Sequence, residues 1–176
     1  MARSREGFTE FVLRRGPFLL RTAVLLTHDR HAAEDLVQTA LCRAWGSWRR
    51  VDGEPEAYVR RIIVREFLRA RGRRWTGEQP TEHLPEPGSN DLIVRTPADP
   101  GEQTATRLPL VAAMARLPRR QRAVVALRYY HDLTLSQVAS ELGISVGSVK
   151  THHARALAAM RLDEDVTDLI DGRSLR

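Results

Sequence analysis

The chain has a single cysteine, Cys42, which excludes an internal disulfide and any zinc site built on a cysteine cluster. It has a single lysine, Lys150; every other one of its 28 cationic side chains is arginine. Long apolar runs are also missing. Stretches such as Ala23-Val24-Leu25-Leu26 are far shorter than the roughly 20 residues a membrane helix needs. Arg3 and Arg5 are not followed by an apolar signal-peptide core, so the expected location is the cytoplasm, away from any membrane. No Gly-rich phosphate loop, paired-acid signature or Ser–His–Asp set occurs, so neither an enzyme nor a cofactor is expected. What is present is enough apolar material for a core, 42% of 176 residues, in a length that suits one or two small domains.

Charge divides the chain. Residues 1–75 carry a net +7, residues 76–103 a net −5, residues 104–161 a net +7 and residues 162–176 a net −3. Two basic blocks are thus separated by an acidic segment and closed by an acidic tail. Arginines that neutralise phosphates release counterions, so paired basic blocks fit two contacts with a polyanion; two solvated helical surfaces are the plainer reading. The segment 76–103 holds five of the nine prolines and three of the eleven glycines, a composition that blocks helices and reads as a flexible linker. As a coil it spans roughly 30 Å, and fully extended about 90 Å.

The first block shows helical periodicity three times. From Arg5 to Leu26, Phe8, Phe11, Val12, Phe18, Leu19 and Leu25 recur at helical spacing, and Gly16-Pro17 is expected to kink or divide the helix. From Arg30 to Trp48, Ala33, Leu36, Val37, Ala40, Leu41, Ala44 and Trp45 form a wide apolar stripe, with Glu34, Asp35 and Gln38 beside it. Cys42 lies next to that stripe and reads as a small buried hydrophobe. From Pro55 to Trp75, Tyr58, Ile62, Ile63, Phe67 and Leu68 form the buried side. Arg60, Arg61, Arg65, Arg69, Arg71, Arg73 and Arg74 cover much of the rest, with only Glu56 and Glu66 to balance them. Arginine holds phosphates and aromatic faces stack on unpaired bases. Trp45, Trp48 and Tyr58 are open to two readings, core or base stacking.

The second block holds a helix-turn-helix pattern over residues 135–161. Thr134 suits an N-cap for Leu135–Leu142, Gly143 the turn, and Ser145 the cap of a longer helix from Val146 to Arg161. Val149, His153, Ala156, Leu157 and Met160 face inward; Gly147, Ser148, Thr151 and Arg155 face out, flanked by Lys150 and His152. A short helix, a Gly turn and a capped basic helix is the layout that seats a recognition helix in the major groove, although a plain helical hairpin shares parts of it. Two helices precede it, about Thr104–Arg116 and Pro118–His131. The latter opens on Arg119, Arg120 and Arg122, an unfavourable end for cations that an external phosphate or acidic partner would offset. His152 and His153 point about 100° apart on a helix and do not form a chelating pair, so no metal site is expected.

Ala33-Glu34-Asp35-Leu36-Val37-Gln38-Thr39-Ala40 with Arg43-Ala44-Trp45, Tyr58-Val59-Arg60-Arg61-Ile62 running on to Arg73-Arg74-Trp75, and Leu117-Pro118 through Arg161 together resemble an extracytoplasmic-function (group IV) sigma factor of bacterial RNA polymerase, of the SigE-like actinobacterial branch. The resemblance implies an all-α chain of two small helical domains joined by a flexible acidic linker. These are a domain 2-like unit at 1–75, a linker at 76–103, a domain 4-like helix-turn-helix at 104–161 and an acidic tail at 162–176. It further implies core polymerase as partner, with the β′ clamp helices meeting Glu34, Asp35, Gln38 and Arg43 and the β flap meeting the second domain. Promoter DNA is the other partner. The −10 element would meet Trp48, Arg60, Arg61, Arg65, Arg69, Arg73 and Arg74, aided by the loop 49–54. The −35 element would meet Arg119, Arg120, Ser148, Lys150, Thr151, His152 and Arg155. An anti-sigma factor is a further partner the family allows. The chain departs from the family pattern at Val64-Arg65-Glu66, where an asparagine is usual, and at His152-His153.

Promoter elements about seventeen base pairs apart lie roughly 58 Å apart at about 3.4 Å per pair. That distance calls for an extended linker, and for variable domain separation in the free chain. A stand-alone helix-turn-helix regulator is the alternative function and a nucleic-acid enzyme a third. The regulator reading needs a ligand or receiver domain where this chain has a basic, aromatic-flanked helix, and the enzyme reading needs a catalytic cluster.

Overall fold

A computed structural model describes residues 5–70 and 112–161. Among these residues there are helices and short connections but no strand, and no helix is long and apolar enough to cross a membrane. The first block comprises α1 (Arg5–Thr27), α2 (Arg30–Ser47), a 3₁₀ turn (Trp48–Arg50) and α3 (Pro55–Arg69). In the second, residues 112–116 are helical; α4 (Arg119–Val125) then runs into one wide π-type turn (Ala126–Tyr130), followed by α5 (Leu135–Leu142) and α6 (Val146–Arg161). The linker 76–103, the tail 162–176 and Arg71, Arg73, Arg74 and Trp75 lie outside the described residues.

α1 is not divided at Gly16-Pro17. The proline leaves the Leu13 carbonyl without its helical donor, but Leu13 is 75% exposed, so water can satisfy that oxygen. Leu19, Ala23, Val24 and Leu26 hold the C-terminal half in the core. His28 ends the helix in a left-handed conformation, φ 56°. Asp29 then caps α2, its Oδ1 accepting from the Ala32 N–H at 2.7 Å. The buried side of α2 is nearly all alanine (Ala33, Val37, Ala40, Ala44), which lets α1 and α3 approach closely.

Two expectations are corrected here. Trp48, placed in the −10 set, is 2% exposed, with Phe8 edge-on at 4.9 Å and Phe11 tilted at 5.1 Å. It packs as a core residue because the 3₁₀ turn folds it back under α1, so its ring is not available for base stacking. Its neighbour Trp45 is the more open one, at 42%. Cys42 is exposed rather than buried, because it falls on the shoulder of the alanine stripe.

The two blocks are in contact. α3 lies between them, which explains why its buried side (Val59, Arg60, Ile63, Val64, Phe67) is wider than one amphipathic stripe. At the seam Phe18 stacks on Tyr130 at 5.0 Å and meets His131 edge-on at 5.1 Å. Arg21 donates to the Tyr130 hydroxyl at 3.1 Å. Thr22 donates to the Phe18 carbonyl at 3.1 Å, which leaves its oxygen to accept from His131 Nε2 at 3.0 Å. The variable separation read from the linker is therefore not what this arrangement presents: the aromatic and polar side chains of α1 and the π-type turn fit one another.

Two seam histidines are held neutral. Burial, then the Arg122 charge, lowers His28 from the ordinary 6.5 to about 4. Burial, then Arg60, lowers His131 to about 3. Both groups bind a proton more readily once released, so the stability they report is complete above about pH 6.5 and is lost as pH falls toward 4. A Tm lower by several degrees at pH 5.5 than at pH 7.5 is expected in thermal melts, with a flatter slope in His131→Gln.

Candidate nucleic-acid interface

The helix-turn-helix is fixed by local chemistry. Thr134 accepts from the Gln137 N–H at 3.2 Å while Gln137 Oε1 accepts from the Thr134 N–H at 2.7 Å, a reciprocal cap on α5. Gly143 ends α5 at φ 65°, a conformation that penalises any side chain. Ser145 Oγ accepts from the Ser148 N–H at 3.1 Å and opens α6. Val149, Ala156 and Met160 are buried, so the opposite face is turned outward. On that face Ser148, Lys150, Thr151 and Arg155 are exposed and His152 is half-buried. The Thr151 hydroxyl bends back to the Gly147 carbonyl at 3.1 Å. His153 stacks on Tyr129 at 5.7 Å with Nε2 3.0 Å from its hydroxyl, and is held below its ordinary pKa by burial and then by Arg128.

Arg120, His152 and Arg155 share a recess of about 400 Å³ with Arg119, Gln121, Pro118 and Leu68. Four of the residues expected at the −35 element are thus brought together, and Leu68 of α3 forms part of the wall. Arg119 is less free than the sequence implied. Its Nη2 donates to the Phe67 carbonyl at 2.5 Å and its guanidinium lies 4.2 Å from the Phe67 ring centre. Arg122 donates to the Met114 (3.0 Å), Leu26 (2.6 Å), Ala115 (2.7 Å) and Leu117 (3.1 Å) carbonyls. These main-chain oxygens offset the cations at the start of α4, where an external phosphate was expected.

On α3, Arg61 is half-buried and Arg65 and Arg69 are exposed, one turn apart along one face. Arg69 reaches Glu66 at 3.4 Å. Arg60 is different. At 8% exposure it donates to Glu141 of α5 at 2.5 Å, and Glu141 is 4% exposed. This corrects the placing of Arg60 on the open face: in this arrangement α5 covers it. Of the residues expected at the polymerase, Glu34, Asp35 and Gln38 are exposed. Glu34 pairs with Arg30 at 2.9 Å, while Arg43 points the other way, to Glu66 of α3 at 2.5 Å. Glu34 and Gln38 border an apolar groove of about 470 Å³ between α1 and α2, lined by Phe8, Leu20, Val37, Leu41 and Trp45, with Cys42 at its side. The sequence reading missed this groove. Its signal was the outer edge of the apolar stripe, Leu41 and Trp45, which is too wide for one buried seam.

Residues 11–76 match the model of Sigma-70 region 2, and residues 107–160 that of Sigma-70, region 4. The RNA polymerase sigma-E factor of Streptomyces coelicolor is 38% identical over 173 residues, covering 96% of this chain and 91% of that protein. The chain belongs to the extracytoplasmic-function sigma factors of bacterial RNA polymerase. The sigma factor SigL of Mycobacterium tuberculosis is 32% identical over 152 residues, with 82% of this chain and 81% of that protein covered. Two solved structures share the fold. The sigma factor RpoE of Bartonella quintana, in complex with the anti-sigma factor NepR, gives a TM-score of 0.63 at 24% identity, covering 91% of this chain and 98% of that one. CnrH in complex with the cytosolic domain of CnrY gives 0.60 at 21% identity, covering 93% and 91%. In this sigma factor the region 2 match takes in α2, with its groove, and α3, and the region 4 match takes in the helix-turn-helix.

Proposed function

We propose that this sigma factor binds core polymerase through the α1–α2 groove and its Glu34, Asp35 and Gln38 rim, reads the −35 element with α6 and engages the −10 element with α3. The observation that carries this reading is the pairing, in one chain, of an outward basic recognition helix with a second basic helix beside an apolar groove. An apolar groove with a polar rim suits an amphipathic helical partner such as the polymerase clamp helices. Ser148, Lys150, Thr151 and Arg155 meet the −35 duplex, with Arg120 and His152 at the backbone. Arg65 and Arg69 are the −10 contacts already exposed, with Arg61 half-buried beside them; Arg60 joins them when α5 moves away, and Arg73 and Arg74 extend the same basic series in sequence. Trp48 supports this surface from the core. The domains of this reading are 1–75 and 104–161, joined by 76–103. The chain acts in the cytoplasm as a binding factor rather than an enzyme. An anti-sigma factor is a further partner, as NepR is for the fold relative RpoE.

Arg155 provides the direct test. It is exposed on α6 and pairs with no acid among the described residues. A base or phosphate contact there is worth about 1–3 kcal/mol. Arg155→Ala should therefore lower run-off transcription from −35-dependent promoters roughly tenfold or more while the thermal melt stays unchanged. An unaltered promoter profile removes Arg155 from the reading set.

A further inference from the structure

The Arg60–Glu141 pair joins residues 81 positions apart, one on the proposed −10 helix and the other on the helix-turn-helix. Both blocks carry a net +7, so electrostatics opposes their contact. The second block has only two acids, Asp132 and Glu141. Asp132 is fully exposed, 3.9 Å from Arg128 of its own block. Glu141 is turned inward onto Arg60, where its carboxylate oxygen occupies the kind of position a DNA phosphate oxygen takes on an arginine. Around it, Arg119 is tied to the Phe67 carbonyl, and Phe18 and Thr22 meet Tyr130 and His131. The pair is only half satisfied: Arg60 Nε and Glu141 Oε2 are buried without a hydrogen-bond partner. A buried pair with unmet polar atoms gives weak closure.

We propose that the free chain masks itself: α5 covers the Arg60 face of α3, and the Glu141 carboxylate holds Arg60 in place of a nucleic-acid phosphate. This rests on the reading of α3 as a DNA-binding helix. Promoter DNA and polymerase then compete with an internal acid, and the seam opens when they win. Repulsion between the two +7 blocks favours release at low salt, and screening favours closure at high salt.

The test uses the full chain with Glu141→Gln, which keeps the shape and removes the charge. Asp132→Asn removes the same charge at an exposed site and serves as the control. Small-angle scattering reads opening, and a dye-labelled 12-nucleotide single-stranded DNA of mixed sequence reads access to α3. Glu141→Gln should enlarge the radius of gyration and tighten DNA binding by on the order of tenfold, with Asp132→Asn near the parent in both. Phe18→Ala, which loosens the same seam without changing charge, should move both readouts in the same direction, and it decides the matter if Glu141→Gln does not fold. Unchanged scattering, or equal tightening in Glu141→Gln and Asp132→Asn, overturns the proposal. So does opening without tighter DNA binding in a chain that still directs transcription with core polymerase. Failure of the parent chain to direct transcription would instead overturn the promoter reading itself.

Discussion

Trp48→Ala is expected to destabilise the first block by about 4 kcal/mol, the range for removing a buried aromatic side chain. Trp48 is 2% exposed and its ring is clasped by Phe8 and Phe11, both on α1. Truncation would leave a cavity where the end of α2 meets the start of α1, and the short 3₁₀ turn has few means to collapse into it. Trp48→Phe should recover roughly half of the loss, because a smaller ring still fills part of the site. Denaturant unfolding followed by circular dichroism measures both. A base-stacking role would give the opposite pattern: an unchanged midpoint and weaker promoter opening. Trp45→Ala should cost much less, since that ring is 42% exposed, with Phe8 edge-on at 5.0 Å.

Arg122→Ala is expected to cost about 3 kcal/mol, through hydrogen bonds rather than through charge. One guanidinium serves the carbonyls of Leu26, Met114, Ala115 and Leu117, so it ties the end of α1 to the turn that precedes α4. Truncation leaves partly buried oxygens with only water to replace four donors. Lysine has one compact donor group in place of the planar fork, so Arg122→Lys should recover little. A chain whose melting midpoint is insensitive to Arg122→Ala would contradict this structural role and return the residue to the pool of external phosphate contacts.

The features legible in the sequence were those encoded within one or two helical turns. Gly143 had to be left-handed, Ser145 and Thr134 had to cap, and the 3.6-residue spacing of Val149, Ala156 and Met160 had to turn Ser148, Thr151 and Arg155 outward. The family motifs were legible for the same reason, being contiguous. What escaped depended on distant partners. Nothing near Arg60 announces Glu141, and nothing near Arg122 announces the Leu26 carbonyl. Both arginines therefore read as free cations when they are in fact held. Trp45 and Trp48 are three residues apart on adjoining turns, and only the fold of the 3₁₀ turn under α1 decides which one is buried. Pro17 was read as a break because its local rule is strong, yet α1 continues where the orphaned carbonyl faces solvent. The groove that takes in Cys42 was hidden because a stripe too wide for its seam looks the same in sequence as a fully buried one.

The central claim is that this chain gives core polymerase its promoter choice. Run-off transcription with core polymerase and a promoter library tests it most directly. The account predicts initiation from a restricted set of promoters, only when chain and core are both present, and a narrower or weaker set with Arg155→Ala. No initiation, together with tight duplex-DNA binding by the chain alone, would contradict it and favour a stand-alone regulator.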